Sequence, residues 1–167
     1  MKLIRQKIKD SGFTLIELIV VMALIGILSM GIFANYLTQS QKTRDARRED
    51  NLNQYRIALE NYSIKTSGLF PSYTSIIDAS GSLCTTLNSG TVPNMSSCVQ
   101  DPRQGTTYFY RYQSDGSGGG GNTATKYILW ARLQYEPNQI VYYWYLCSDG
   151  RVGSKPTNQP TAADCGF

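Results

Sequence analysis

Residues 9–34, KDSGFTLIELIVVMALIGILSMGIFA, decide how the rest of the chain is read. Within them Phe13–Ala34 is 22 residues with one charge, Glu17. As a helix this block is about 33 Å long, against roughly 30 Å for the hydrocarbon core of a bilayer. Gly26 and Gly31 lie inside it, and membrane helices tolerate glycine. Three simpler readings compete. A buried core helix of a soluble domain is shorter than this and has no use for a basic tail before it. A secretory signal peptide fits the basic start and a small-x-small site at Ser29-Met30-Gly31, but Glu17 falls near the start of its apolar core. A plain signal anchor leaves Glu17 without a purpose.

Outward from the block, composition is segregated. Residues 37–167 are polar and rich in Tyr, Ser, Thr, Asn and Gly, enough for one ordinary domain. The net charge of +4 is just as uneven: Lys2, Arg5, Lys7 and Lys9 against Asp10 give +3 in the first 12 residues. The remainder holds 12 basic and 11 acidic residues, so the basic character implies no nucleic-acid partner. Histidine is absent, which removes the commonest general base and metal ligand and any His-based triad. The four cysteines, Cys84, Cys98, Cys147 and Cys165, form no Cys-x-x-Cys pair. They read as two disulfides and an oxidising compartment.

Basic residues do not orient the block. Four precede it and four follow closely, Lys42, Arg44, Arg47 and Arg48. The cysteines orient it: residues 37–167 outside, the N-terminus in the cytoplasm. Glu17 then needs a use, because a carboxylate in a bilayer costs a few kcal/mol. It lies four residues after Phe13, on the same helix face. A cut before Phe13 would create a cation at the helix start, and Glu17 of a neighbouring copy would pair with it. Otherwise Glu17 sits at headgroup depth with no specific partner.

Lys9-Asp10-Ser11-Gly12-Phe13-Thr14-Leu15-Ile16-Glu17-Leu18 resembles the cleavage and methylation site of type IV pilins and type II secretion pseudopilins. The resemblance covers residues 9–36 strongly and the rest in outline. It implies cleavage between Gly12 and Phe13 by a membrane aspartyl prepilin peptidase, N-methylation of Phe13, and assembly into a helical filament with the apolar helices at its core. Glu17 would neutralise the Phe13 amine of an adjacent subunit. The chain departs from the family in lacking a proline late in the apolar helix, around Ala34, which leaves Gly26 and Gly31 for any local melting.

Beyond the block the helix is expected to continue. Leu52, Tyr55, Leu59 and Tyr62 recur at helical spacing, with Gly68 as cap and Pro71 beyond, ending the helix near residue 67. Residues 69–105 read as loop. Bridging Cys84 to Cys98 would close a loop there, worth about 3 kcal/mol in the chain-entropy model. Strands are expected over Thr106–Gln113, Lys126–Tyr135 and Gln139–Ser148, with Tyr127, Leu129, Ala131 and Leu133 on one face. The favoured pairings are Cys84–Cys98 and Cys147–Cys165, among three connectivities.

Several signals read more simply as structure than as chemistry. Gly116–Gly121 lacks the context of a phosphate loop and reads as a flexible hairpin loop. Asp115, Asn122, Asp149 and Asp164 lack the spacing of a calcium loop. The tyrosines of 108–145 beside Arg111, Lys126 and Arg132 would stack on single-stranded nucleic acid, but read better as a sheet with one wet face. Arg44, Arg47 and Arg48 with Asp45, Glu49 and Asp50 read as a solvated helix face or as inter-subunit ion pairs.

The expected architecture is α+β: a leader over 1–12, a transmembrane or filament-core helix over 13–36, and an extracytoplasmic head over 37–167. In the head a helix packs on three to four antiparallel strands over 106–153, with a tail over 154–167. The expected function is a structural subunit of a pilus-like filament, not an enzyme, with no cofactor or metal. Its partners would be itself, the prepilin peptidase, membrane lipid before assembly, and an inner-membrane pilus or secretion platform. The runner-up readings are a type II secretion pseudopilin and a DNA- or surface-binding pilin, with nucleic acid the weaker partner.

Overall fold

Fifty-one residues without a proline form the helix α1, Leu15–Lys65, in a computed structural model. The structure describes residues 12–89 and 94–167, the side chains of 30–35 excepted. The leader residues 1–11 and part of the expected membrane segment 13–36 therefore lie outside the described residues. Among the described residues no helix is long and apolar enough to cross a membrane. The helix ends two residues before the expected 67. Ser67 and Gly68 both take left-handed φ, 59° and 86°. The Gly68 amide donates to the Ser63 carbonyl at 2.8 Å, which closes the helix with a six-to-one bond.

The chain forms two compact units, Met1–Gln39 and Ser40–Phe167. In the first, every large apolar side chain from Phe13 to Leu28 is exposed. In the second, five antiparallel strands lie in sequence order: β1 (Ile77–Asp78), β2 (Arg111–Ser114), β3 (Tyr127–Arg132), β4 (Tyr142–Cys147) and β5 (Val152–Pro156). The sheet thus has one or two more strands than expected. β1 is only two residues long and has no alternation to detect. It lies in the stretch read as loop, followed by a helical segment, Ala79–Leu83 and α2 (Cys84–Leu87). That segment buries Ala79, Leu83, Cys84 and Leu87, so the few apolar residues of 69–105 nearly all serve the core. β5 runs across the expected boundary at 153. β4 starts later than expected because Pro137–Gln139 makes a helical turn with left-handed Asn138 and Gln139.

The core follows from two periodicities. The helix stripe Leu52, Tyr55 and Leu59 is fully buried, with Tyr62 packed on its edge. It meets the sheet face that carries Tyr112, Tyr127, Leu129, Ala131 and Leu146. So many tyrosines can be buried because their phenols find partners. Tyr55 donates to the Val99 carbonyl and Tyr112 to the Pro71 carbonyl, each at 2.7 Å. Burial pushes the Tyr110 phenol up to about 12 although Asn51 bonds it. The opposite sheet face is not wet over β3. Ile128 and Trp130 are buried there with Tyr143, Cys147 and Cys165, and Phe167 packs against them. Cys84–Cys98 ties α2 to the following loop, and Cys147–Cys165 ties the tail to β4.

Two expectations about polar segments are corrected. The glycine-rich loop is docked, not free: Ser72 Oγ accepts from the Gly118 amide and the Ser72 carbonyl from the Gly120 amide. A Cβ at Gly116 would lie 2.7 Å from Ser72 Oγ, and one at Gly120 would lie 2.6 Å from the Tyr73 hydroxyl. Both glycines also have positive φ, so close approach and backbone conformation alike require them. The second correction concerns the charged helix face. Arg48 is fully buried, bonded to Asp45 at 2.6 Å and to both oxygens of Asp101 at 2.7 and 2.9 Å. Asp45 also accepts from the amides of Gln134 and Tyr135. One arginine and two aspartates thus join α1, the 99–104 loop and the end of β3.

Removing one member of such a network leaves buried charge without a partner. Arg48→Ala is expected to lower the unfolding free energy by about 3–5 kcal/mol. Arg56→Ala breaks only the partly exposed contact with Glu60 at 3.6 Å and should cost about 1 kcal/mol or less. Urea unfolding in detergent, followed by tryptophan fluorescence, measures both. Equal losses would contradict the network's role.

Candidate functional site

Gly12, Phe13 and Thr14 precede the first turn of α1 and are exposed. Phe13 keeps 88% of its surface in solvent. A Cβ added at Gly12 meets nothing within 4 Å, and Gly12 is not among the glycines with positive φ. The chain's own fold therefore makes no demand for glycine at this position. The Gly12–Phe13 peptide bond lies outside the helix.

Thr14 starts the helix. Its hydroxyl accepts from the Glu17 amide at 3.3 Å. Glu17 Oε2 accepts in return from the Thr14 amide at 2.9 Å and the Thr14 hydroxyl at 2.8 Å. This reciprocal pair is a capping box, which satisfies donors that a helix start leaves unpaired. The Thr-x-x-Glu spacing of the sequence corresponds to this cap, which gives Glu17 a structural use. With the Gly12–Phe13 bond intact, Phe13 carries an amide rather than an ammonium, and Glu17 bonds Thr14.

Behind the cap the helix is apolar on every side. Leu15, Ile16, Leu18, Ile19, Val20 and Val21 are all exposed, as are the large apolar residues onward to Leu28. A helix with no polar face is covered by lipid or by other helices when it functions. Gly26 lies within α1 and the helix continues through it.

Residues 7–33 match the family profile of the prokaryotic N-terminal methylation motif. The chain carries the pilin-type methylation signature. The motif ends within the apolar half of α1 and includes Gly12, Phe13 and Glu17 together. No curated protein and no solved structure matches the chain.

The remaining candidates are dispersed. Arg111 is 7% exposed, with its guanidinium 4.0 Å from the centre of the Phe109 ring. Lys126 Nζ donates to the Gly166 carbonyl. The oxygen donors considered for calcium hold the fold instead. Asp149 pairs with Arg151, and Asp164 pairs with Lys155 and caps the turn at Thr161. Among the described residues no group of three acidic or cysteine side chains is placed to hold a metal.

Asp115 closes the glycine-rich loop. Its Oδ1 accepts from the amides of Thr125 and Lys126, and its Oδ2 from the Thr125 hydroxyl. Burial alone would raise its pKa, but these bonds outweigh burial and hold the carboxyl below the usual aspartate range. The unfolded chain therefore takes up the proton first. The stabilisation is fully present above the ordinary aspartate range and is lost as pH falls through the lower folded value. Urea midpoints from pH 6 to pH 2 test this against Asp115→Asn. The wild-type advantage should be constant above about pH 5 and close toward pH 2. A gap that stays constant to pH 2 would show that the ionised carboxylate is not what holds the loop.

Proposed function

We propose that this chain is a structural subunit of a type IV pilus-like filament, not an enzyme. The methylation motif, set at the start of a helix that is apolar all round, carries this reading. The basic leader holds the N-terminus in the cytoplasm and the apolar segment enters the membrane. A prepilin peptidase cuts between Gly12 and Phe13, and Phe13 is N-methylated. The exposed scissile bond and the absence of any internal need for Gly12 support recognition in trans. The head stays outside the cytoplasm, consistent with its two disulfides.

Cleavage changes what Glu17 meets. Before it, Oε2 is held by Thr14. After it, a Phe13 ammonium stands at the helix start, and Glu17 of the next subunit neutralises that cation as the helices leave the lipid. Pairing removes the cost of burying two separate charges. The apolar surfaces then cover one another in the filament core.

Glu17→Ala and Glu17→Gln test the step together. Glutamine at this position still supports a capping box, but it carries no charge. Both variants should be cleaved like the wild type, while filament yield falls roughly tenfold or more in each, as loss of a buried charge pair requires. Full assembly of Glu17→Gln would mean that the cap, and not the charge, is what matters.

A further inference from the structure

The head carries a groove of about 320 Å³ between α1 and the sheet. Leu133, Tyr135, Pro137 and Tyr142 supply its apolar wall, and Lys42 and Glu49 stand at its helix side. Each charge at the groove except one is already engaged. Lys42 Nζ lies 4.7 Å above the Tyr135 ring. Asp45 holds Arg48 and two backbone amides. Glu49 makes no hydrogen bond or ion pair among the described residues. It is half-buried, and its carboxyl is pushed up by burial and by the nearby charges of Asp45 and Asp50. A carboxylate in such a place is best suited to a cation on an apolar stem: the stem covers the tyrosine rings and the charge meets the acid.

The same helix presents that cation. Arg47 is exposed and makes no ion pair or hydrogen bond among the described residues. It precedes Glu49 by two residues, about 200° around an α-helix. The acidic groove and the free arginine thus face opposite ways at nearly the same height. Two complementary patches on opposite faces of one protomer make a heterologous contact, which repeats from copy to copy and builds rings or helical filaments, not closed pairs.

We infer that the Glu49 groove is a subunit–subunit contact that receives Arg47 of a second copy of this chain. The inference rests on the filament reading and adds to it a polar contact in the head, separate from the apolar helix and from Glu17. It gives the filament a register, because only one stagger of neighbouring heads brings Arg47 to Glu49.

Charge reversal tests it in cells that process the wild-type chain. Arg47→Glu and Glu49→Arg should each reduce sheared filament by about tenfold, the equivalent of about 1.4 kcal/mol per contact, while cleavage before Phe13 is unchanged. The double variant, with the charges exchanged, should recover most of the wild-type yield. A chain carrying Arg47→Cys and Glu49→Cys should give an oxidised ladder of covalent multimers from intact filaments, and neither single variant should give more than a dimer. Wild-type yield from Glu49→Arg, or a double variant no better than the singles together with no ladder, would overturn the contact and leave the filament reading intact. Wild-type protein that is cleaved but never assembles would overturn both.

Discussion

Every large apolar side chain from Phe13 to Leu28 is exposed, on a stretch of helix that is apolar all round. Burying a residue of this kind gains roughly 1.5–3 kcal/mol, so the uncovered segment stands for tens of kcal/mol. No isolated chain in water leaves such a term unsatisfied. In the proposed filament the segment exchanges one apolar environment for another, and the rest of the sequence fits that exchange. The Gly12–Phe13 bond lies outside the helix, Glu17 lies within its first turn, and the polar residues are gathered in a head that folds on its own stripe.

The head solves a different problem. It is rich in polar residues, so features besides the burial of its two apolar clusters hold it. The Asp45–Arg48–Asp101 network joins helix, loop and sheet, and two disulfides secure the loop after α2 and the C-terminal tail. The glycine-rich loop is held by Ser72 and Asp115. A buried ion network contributes less to stability than its bonds suggest, because all three ions lose water. Its geometric effect is plainer: it fixes the arrangement of helix, loop and sheet at the edge of the core they share.

What the sequence made legible follows from signal length. The 3.6-residue stripe Leu52, Tyr55, Leu59 and the alternation in Tyr127, Leu129, Ala131 span several periods, and both proved to be core. The two-residue β1 spans none and was invisible. Arg48 was misread because local charge pattern at 44–50 looks solvated; its partner Asp101 is 53 residues away. The glycine run was read as slack because composition does not reveal that Ser72 and Tyr73 pass close beneath it. At the N-terminus the matched motif covers Gly12, Phe13 and Glu17, and the spacing of Thr14 and Glu17 carries the capping box. Glu49 and Arg47 were legible as charges but not as opposite faces of one element with different surroundings.

The central claim is that the apolar helix becomes the N-terminus of a processed subunit. The intact mass of the protein from native membranes or shed filaments, together with N-terminal sequencing, tests it most directly. The account predicts a chain that begins at Phe13, carries one added methyl group and retains both disulfides. A chain that still begins at Met1, or one cut after Gly31, would contradict it.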